Sequence, residues 1–193
     1  MAVDFKRAAG ALAVLLLAGC GHSPPTRFFT LDPAPPSRPA TAVASASPIQ
    51  LDAVHIPPAL DRPQVVTQLG ANRLDVHDLD QWASPLGEMM RRTLAQDLLT
   101  RLPQGKFVLP DAPRPQGVRG LVVNVLEINA APSGQVTLQA SWTLMAPGTT
   151  QAVLIRNVQL TADASPGPQG TAAAMSQLLG QLADQIVGTL AAA

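Results

Sequence analysis

The sequence predicts an α+β domain: a largely antiparallel sheet with two main helices packed on one face, behind an N-terminal tether. Three observations carry that expectation. Apolar residues recur every four positions from Trp82 to Leu102, and a second stripe runs from Met175 to Leu190, each marking one buried helix face. Gln135–Met145 alternates apolar and polar residues, the period of a half-buried strand. The elements follow in the order β-β-β-β-α-β-β-β-β-α, which leaves two one-sided helices to cover one sheet face.

The chain has 193 residues, enough for a single domain. Its start stands apart from that domain. Lys6 and Arg7 precede an apolar run from Ala8 to Ala18, and Leu17-Ala18-Gly19-Cys20 closes it. This is the layout of a secretory signal peptide ending in small residues, here residues 1–19. Apolar density stops at Cys20 and His22-Ser23-Pro24-Pro25 follows, short of the roughly 20 apolar residues of a spanning helix. Leu-Ala-Gly-Cys resembles the bacterial lipobox. The resemblance implies cleavage before Cys20, diacylation of its thiol by palmitate-like chains and acylation of the new amino terminus. Each buried CH2 contributes about 0.8 kcal/mol and one chain alone holds only marginally, so several chains make a lasting anchor. Gly21, in place of Asp, favours outer-membrane delivery by analogy with enterobacterial sorting.

Residues 20–47 read as the lipidated cysteine and a Pro-rich tether, a semi-extended composition that would hold the body off the bilayer. Phe28, Phe29 and Leu31 are too apolar for a free tether, so a short strand is expected near 28–32. The domain proper spans 48–193. Residues 48–57 form a strand closed by Pro57-Pro58, and Leu60-Asp61-Arg62-Pro63 is a turn. Gln64–Leu69 and Arg73–Val76 form a hairpin across Gly70-Ala71-Asn72.

The first helix carries Trp82, Leu86, Met90, Leu94, Leu98 and Leu102 on its stripe, widened by Met89 and Leu99. Pro85 fits only its first turn, which makes Ser84 the expected N-cap and leaves Trp82 just before the helix. Pro103 and Gly105 end it. Val118–Asn129 is apolar on both faces and is expected to be central. Gln135–Met145 points Val136, Leu138, Ala140, Trp142 and Leu144 inward, and Gln151–Asp163 completes a meander. Gln169–Leu190 is the second helix, with Met175, Leu178, Leu179, Leu182, Ile186 and Leu190 on one face.

Composition excludes several functions. Lys+Arg and Asp+Glu are 13 each, so the net charge is zero and no basic footprint for nucleic acid exists. One cysteine makes no internal disulfide and builds no zinc or iron–sulfur site alone. His22, His55 and His77 lack ligand spacing, and neither a nucleophile elbow nor a phosphate loop is present. Asp75-Val76-His77-Asp78-Leu79-Asp80 lacks the Gly and distal Glu of an EF-hand loop, so it reads as a solvated turn before the helix. There Asp78 or Asp80 would favour the helix N-terminus. Asp61-Arg62 has no nucleophile or base beside it and reads as a turn Asp with a structural or interface Arg. No catalytic residue, metal or cofactor is expected beyond covalent lipid on Cys20.

Val54-His55-Ile56-Pro57-Pro58-Ala59-Leu60-Asp61-Arg62-Pro63-Gln64-Val65-Val66 resembles a signature of the ABC-type transport auxiliary lipoproteins, the PqiC-type or YmbA-like lipoproteins. Asn72-Arg73-Leu74, Trp82-Ala83-Ser84-Pro85-Leu86 and Phe28-Phe29-Thr30-Leu31-Asp32 extend the likeness in order and spacing. Ser84 stands where many relatives carry an acidic residue. The resemblance implies a non-enzymatic, outer-membrane-tethered periplasmic subunit of an MCE-protein lipid transport system that supports membrane integrity. It also implies a homo-oligomer, docking an MCE-domain partner at the outer membrane. Leu60, Asp61, Arg62, Pro63, Gln64, Asn72, Arg73, Trp82, Pro85 and Leu86 are the candidate interface or structural motif. Alternatives are a lipid-binding carrier with its own apolar cavity, or a lipoprotein of another envelope or secretion assembly. A periplasmic hydrolase is least favoured, for want of a nucleophile pattern.

Overall fold

A computed structural model describes residues 24–37 and 47–192. The signal peptide, Cys20 and the middle of the expected tether lie outside the described residues. The fold is α+β, in the order β1 (Arg27–Phe29), β2 (Ile49–His55), β3 (Gln64–Gly70), β4 (Arg73–Trp82), α1 (Leu86–Arg101), β5 (Phe107–Val108), β6 (Arg119–Ala130), β7 (Gln135–Met145), β8 (Ala152–Asp163) and α2 (Pro168–Ala192). The strands form two sheets, β5-β2-β6-β7-β8 and β1-β4-β3.

The meander β6-β7-β8 and the hairpin β3-β4 are antiparallel, as the tight turns require. The sheets are nevertheless mixed. β2 runs parallel to both β5 and β6, and β1 runs parallel to β4. The cause is the crossover: β3, β4 and α1 intervene between β2 and β6, long enough to return the chain in the same direction. The hairpin β3-β4 leaves the main sheet altogether and pairs with β1.

The core forms where the stripes meet. Leu86, Met89, Met90, Leu94 and Leu98 of α1 and Leu178, Leu179, Leu182 and Ile186 of α2 are almost fully buried, and so are all five inward residues of β7. β6 is central, as its two apolar faces require. Leu99 does not widen the stripe; it is half exposed, on the outer side of α1. Ser84 does not cap α1. Pro85 takes the N-cap position with φ −50° and ψ 128° and no side-chain cap bond, and its carbonyl accepts from Met89 N–H at 3.1 Å. Asp75–Asp80 is no turn either: the segment is strand, because β3 and β1 pair with it from both sides. Asp80 therefore serves no helix terminus. Arg27 Nε and Nη2 donate to its two carboxylate oxygens at 2.6 and 2.8 Å. Those bonds hold its carboxyl below the ordinary range.

The segment after β1 is fastened far more extensively than one short strand. Leu31 is buried, and Thr93 Oγ1 donates to its carbonyl at 3.1 Å. Asp32 N–H donates to Ser176 Oγ at 3.1 Å. Ala34 N–H donates to Asp97 Oδ1 at 2.9 Å. Arg101 Nη1 and Nη2 donate to the carbonyls of Ala34 and Pro35 at 3.1 and 3.2 Å. Its Nε donates to Asp184 Oδ1 at 2.7 Å, and Ser37 Oγ donates to Asp184 Oδ2 at 2.7 Å. Residues 27–37 thus form a strap across α1 and α2. Gly180 makes the close approach possible, since a Cβ there would sit 2.6 Å from Ala34 Cβ.

Arg101 and Asp97 side chains are 2% and 0% exposed, 3.1 Å apart. A buried charge is tolerated only when paired and hydrogen-bonded, and the strap supplies the missing acceptors. Asp97 Oδ2 has no partner among the described residues. Burial pushes the Asp97 carboxyl up to about 6, against the opposing pull of Arg101 and the Ala34 amide. A carboxyl raised on folding holds its proton more tightly in the native state, so its contribution to stability falls as pH rises from about 4 to about 6. The melting temperature of the native chain minus that of Asp97→Asn is therefore expected to fall across this window, on the order of 5 °C, and then level off. Thermal melts at several pH values check it.

Candidate functional site: the Asp61–Arg62 cleft

The turn after β2 is fixed by its own backbone. Leu60 N–H donates to the Pro57 carbonyl at 2.9 Å, Asp61 N–H to Pro58 at 3.2 Å and Arg62 N–H to Leu60 at 2.9 Å. Two consecutive prolines set φ for the start of this turn and remove alternatives. Leu60 rests on the core, while Asp61, Arg62 and Pro63 face solvent.

The turn is joined to the end of β4. Trp82 N–H donates to the Pro63 carbonyl at 2.7 Å, and Gln64 pairs with Gln81. From the other side Ala83 N–H donates to the Phe29 carbonyl at 2.9 Å. Trp82 is thereby held between β3 and β1, with its ring 6% exposed. Pro85 then opens α1, and Leu86 buries its side chain against the core.

The outcome is an open cleft of about 240 Å³ lined by Asp61, Arg62, Pro63, Trp82, Ser84 and Pro85. Two segments separated by some twenty residues meet there. Trp82 and the two prolines make a rigid apolar floor, and Asp61 and Arg62 stand above it. Neither charged side chain is hydrogen-bonded or ion-paired to another described residue. The lining offers a carboxylate, a guanidinium and a hydroxyl, without imidazole or thiol. Such groups can hydrogen-bond or ion-pair with a polar surface.

The remaining motif residues lie elsewhere. Asn72 and Arg73 sit at the far tip of the β3-β4 hairpin, about 20 Å along the strands from Gln64 and Gln81. Asn72 has φ 58°, the left-handed conformation that a short side chain tolerates, so its place is explained by the turn. Larger hollows are also present. One of about 470 Å³ follows the outer side of α1 past Arg91, Arg92 and Leu99. Another of about 410 Å³ contains His77, whose Nε2 lies 2.9 Å from Thr67 Oγ1. Among the described residues no group of three His, Cys, Asp or Glu is placed to hold a metal.

Several charge clusters went unrecognised in the sequence, among them Arg27–Asp80, Asp97–Arg101–Asp184 and Arg114–Asp52. The second left a signal. Thr93, Asp97 and Arg101 recur every four residues beside Leu94 and Leu98, so they share a face with buried residues.

A family model for the ABC-type transport auxiliary lipoprotein component matches residues 29–187. The chain belongs to this family. The match begins within β1 and so includes the strap as well as the cleft. The chain is 28% identical over 134 residues to the intermembrane transport lipoprotein PqiC of Escherichia coli K12, covering 69% of this chain and 71% of that protein. The PqiC of Shigella flexneri matches to the same extent. Two crystal structures share the fold: an uncharacterized protein (TM-score 0.65, 21% identity, 87% of this chain and 97% of that one) and protein XCC0632 of Xanthomonas campestris (TM-score 0.64, 18% identity, 86% and 94%). The α+β architecture is therefore a property of a wider set of chains.

Cleft residues divide by burial. Trp82→Ala is expected to cost about 3–5 kcal/mol, because it empties a packed site. Arg62→Glu and Asp61→Asn are expected to stay within about 0.5 kcal/mol of the native chain, because each removes an exposed group without a partner. Chemical denaturation of the three variants measures both.

Proposed function

We propose that this transport auxiliary lipoprotein is a docking subunit with no chemistry of its own. Cys20 carries the lipid, the body lies at the periplasmic face of the outer membrane, and the Asp61–Arg62 cleft engages an MCE-domain protein of an intermembrane lipid transport system. The observation that carries the reading is the cleft itself. The fold gathers the turn residues and the Trp82–Pro85 segment into one solvent-facing surface and leaves two opposite charges unspent on a rigid base. Unspent charges over an aromatic floor give orientation and partner choice. The relatives named intermembrane transport lipoproteins lend the transport context.

A carrier with its own lipid cavity is less well supported. The apolar seam between Met90, Ile128, Leu138, Met175, Leu178 and Leu179 encloses a free volume of about 0 Å³. An acyl chain needs an enclosed apolar space of several hundred cubic ångströms, whereas the hollows beside Arg91 and beside His77 are open and partly polar. Self-association is part of the proposal. β8 pairs with β7 alone among the described residues, and its Val153 and Ile155 are exposed, an edge open to a second copy.

Photo-crosslinking in cells from Arg62, with the hairpin tip at Arg73 as the comparison site, tests the docking surface. Expected is an MCE-domain protein captured from Arg62 and not from Arg73. Capture from Arg73 alone, or of a secretion-system component instead, overturns the reading. Cys20→Ala is expected to move the chain from the membrane to the soluble fraction.

A further inference from the structure

The strap changes how far the body can stand from a membrane. If the chain first joined the fold at Ile49, the leash from Cys20 would span 29 peptide steps and reach about 100 Å at full extension. The structure fastens it much earlier. Arg27 pairs with Asp80, Phe28 with Gln81 in register, and the following ten residues are tied to α1 and α2. Seven steps separate Cys20 from Arg27, a reach of at most about 25 Å. That is shorter than the body itself, since the 25 residues of α2 alone extend about 38 Å.

The point of attachment also selects an end of the molecule. Phe29 lies beside Trp82 in the register of β1 and β4. The cleft is therefore about two residues, or 7 Å, from where the leash enters. Phe28, the exposed aromatic nearest the leash, is 64% accessible. We propose that the strap acts as a leash stop: β1 fixes the leash at Arg27, the Arg101 clasp backs it at Ala34 and Pro35, and the β1 end of the body with the Asp61–Arg62 cleft is kept within about 35 Å of the lipid headgroups. The inference rests on the lipidation of Cys20 proposed above. It adds that a protein engaging the cleft must come to the membrane surface to do so. Residues after Ser37 follow the clasp in sequence and so add nothing to the reach.

The test uses the full lipidated chain in vesicles of phosphatidylethanolamine and phosphatidylglycerol. Ala59→Cys, exposed beside the cleft, carries a donor dye; the acylated Cys20 leaves it as the free thiol. Headgroup-labelled lipid is the acceptor. Strong energy transfer is expected for the native leash. A flexible insertion of about 100 Gly/Ser residues between Gly21 and Pro24 leaves the fold untouched, raises the root-mean-square leash length to about 55 Å and is expected to reduce transfer at least about twofold. Gly180→Leu combined with Arg27→Ala, which displaces Ala34 and removes the Asp80 pair, frees the chain towards Ile49 and is expected to lower transfer by less than the insertion does. Equal transfer for the native and lengthened leashes overturns the leash stop, and so does weak transfer from the native chain. Unchanged transfer in the Gly180→Leu, Arg27→Ala variant overturns the role of the strap. Failure of the native chain to float with the vesicles overturns the lipid anchor, and the inference with it.

Discussion

The buried guanidinium of Arg101 is the constraint on which the rest of the structure depends. A charge with 2% exposure has to find its acceptors inside the protein. Asp97 and Asp184 supply carboxylates from α1 and α2, which fixes the two helices to one another at this level. The remaining donors find the Ala34 and Pro35 carbonyls. Without the strap Nη2 would lose its Pro35 acceptor, while Nη1 would keep Asp97. The helices and the N-terminal segment are therefore folded together, and the strap draws β1 alongside β4. That pairing, with the Ala83–Phe29 bond, sets the position of Trp82 and so of the cleft.

The cleft is a product of economy in the backbone. Prolines at 57, 58, 63 and 85 restrict the two segments that form it, and a hydrogen bond from Trp82 N–H to the Pro63 carbonyl fastens them together. Little side-chain interaction is consumed at the rim. Asp61 and Arg62 form no ion pair with another described residue. A surface of this kind suits the docking role proposed above.

Much of the fold was legible in the sequence, for definite reasons. The stripes of α1 and α2 and the alternation of β7 follow from burial on one side, and a periodic pattern reports that directly. The hairpin turn followed from Gly70-Ala71-Asn72. The parallel pairing of β2 with β6 was hidden, because an alternating strand looks the same whichever neighbour it takes. β5 was not located, since two residues carry no period. Asp75–Asp80 reads as a turn because acidic residues are scarce in strands; its strand state comes from β3, which pairs with Asp75, Val76 and His77, and from β1, which reaches Asp80 from 53 residues earlier in the chain. Of the candidate motif, the segments 60–64 and 82–86 converge, whereas Asn72 and Arg73 are carried to the hairpin tip. Sequence proximity to a signature cannot distinguish a turn residue from a surface residue when both are polar.

The most direct measurement is amide hydrogen exchange on the isolated body, residue by residue through the strap. If the clasp is integral to the fold, the Asp32 and Ala34 amides, bonded to Ser176 and Asp97, exchange with protection close to that of the α1 and α2 interiors. Exchange at the rate of an unstructured peptide in both amides, with α1 and α2 still protected, would contradict it: the helices would then be stable without the strap, and Arg101 would find its acceptors elsewhere.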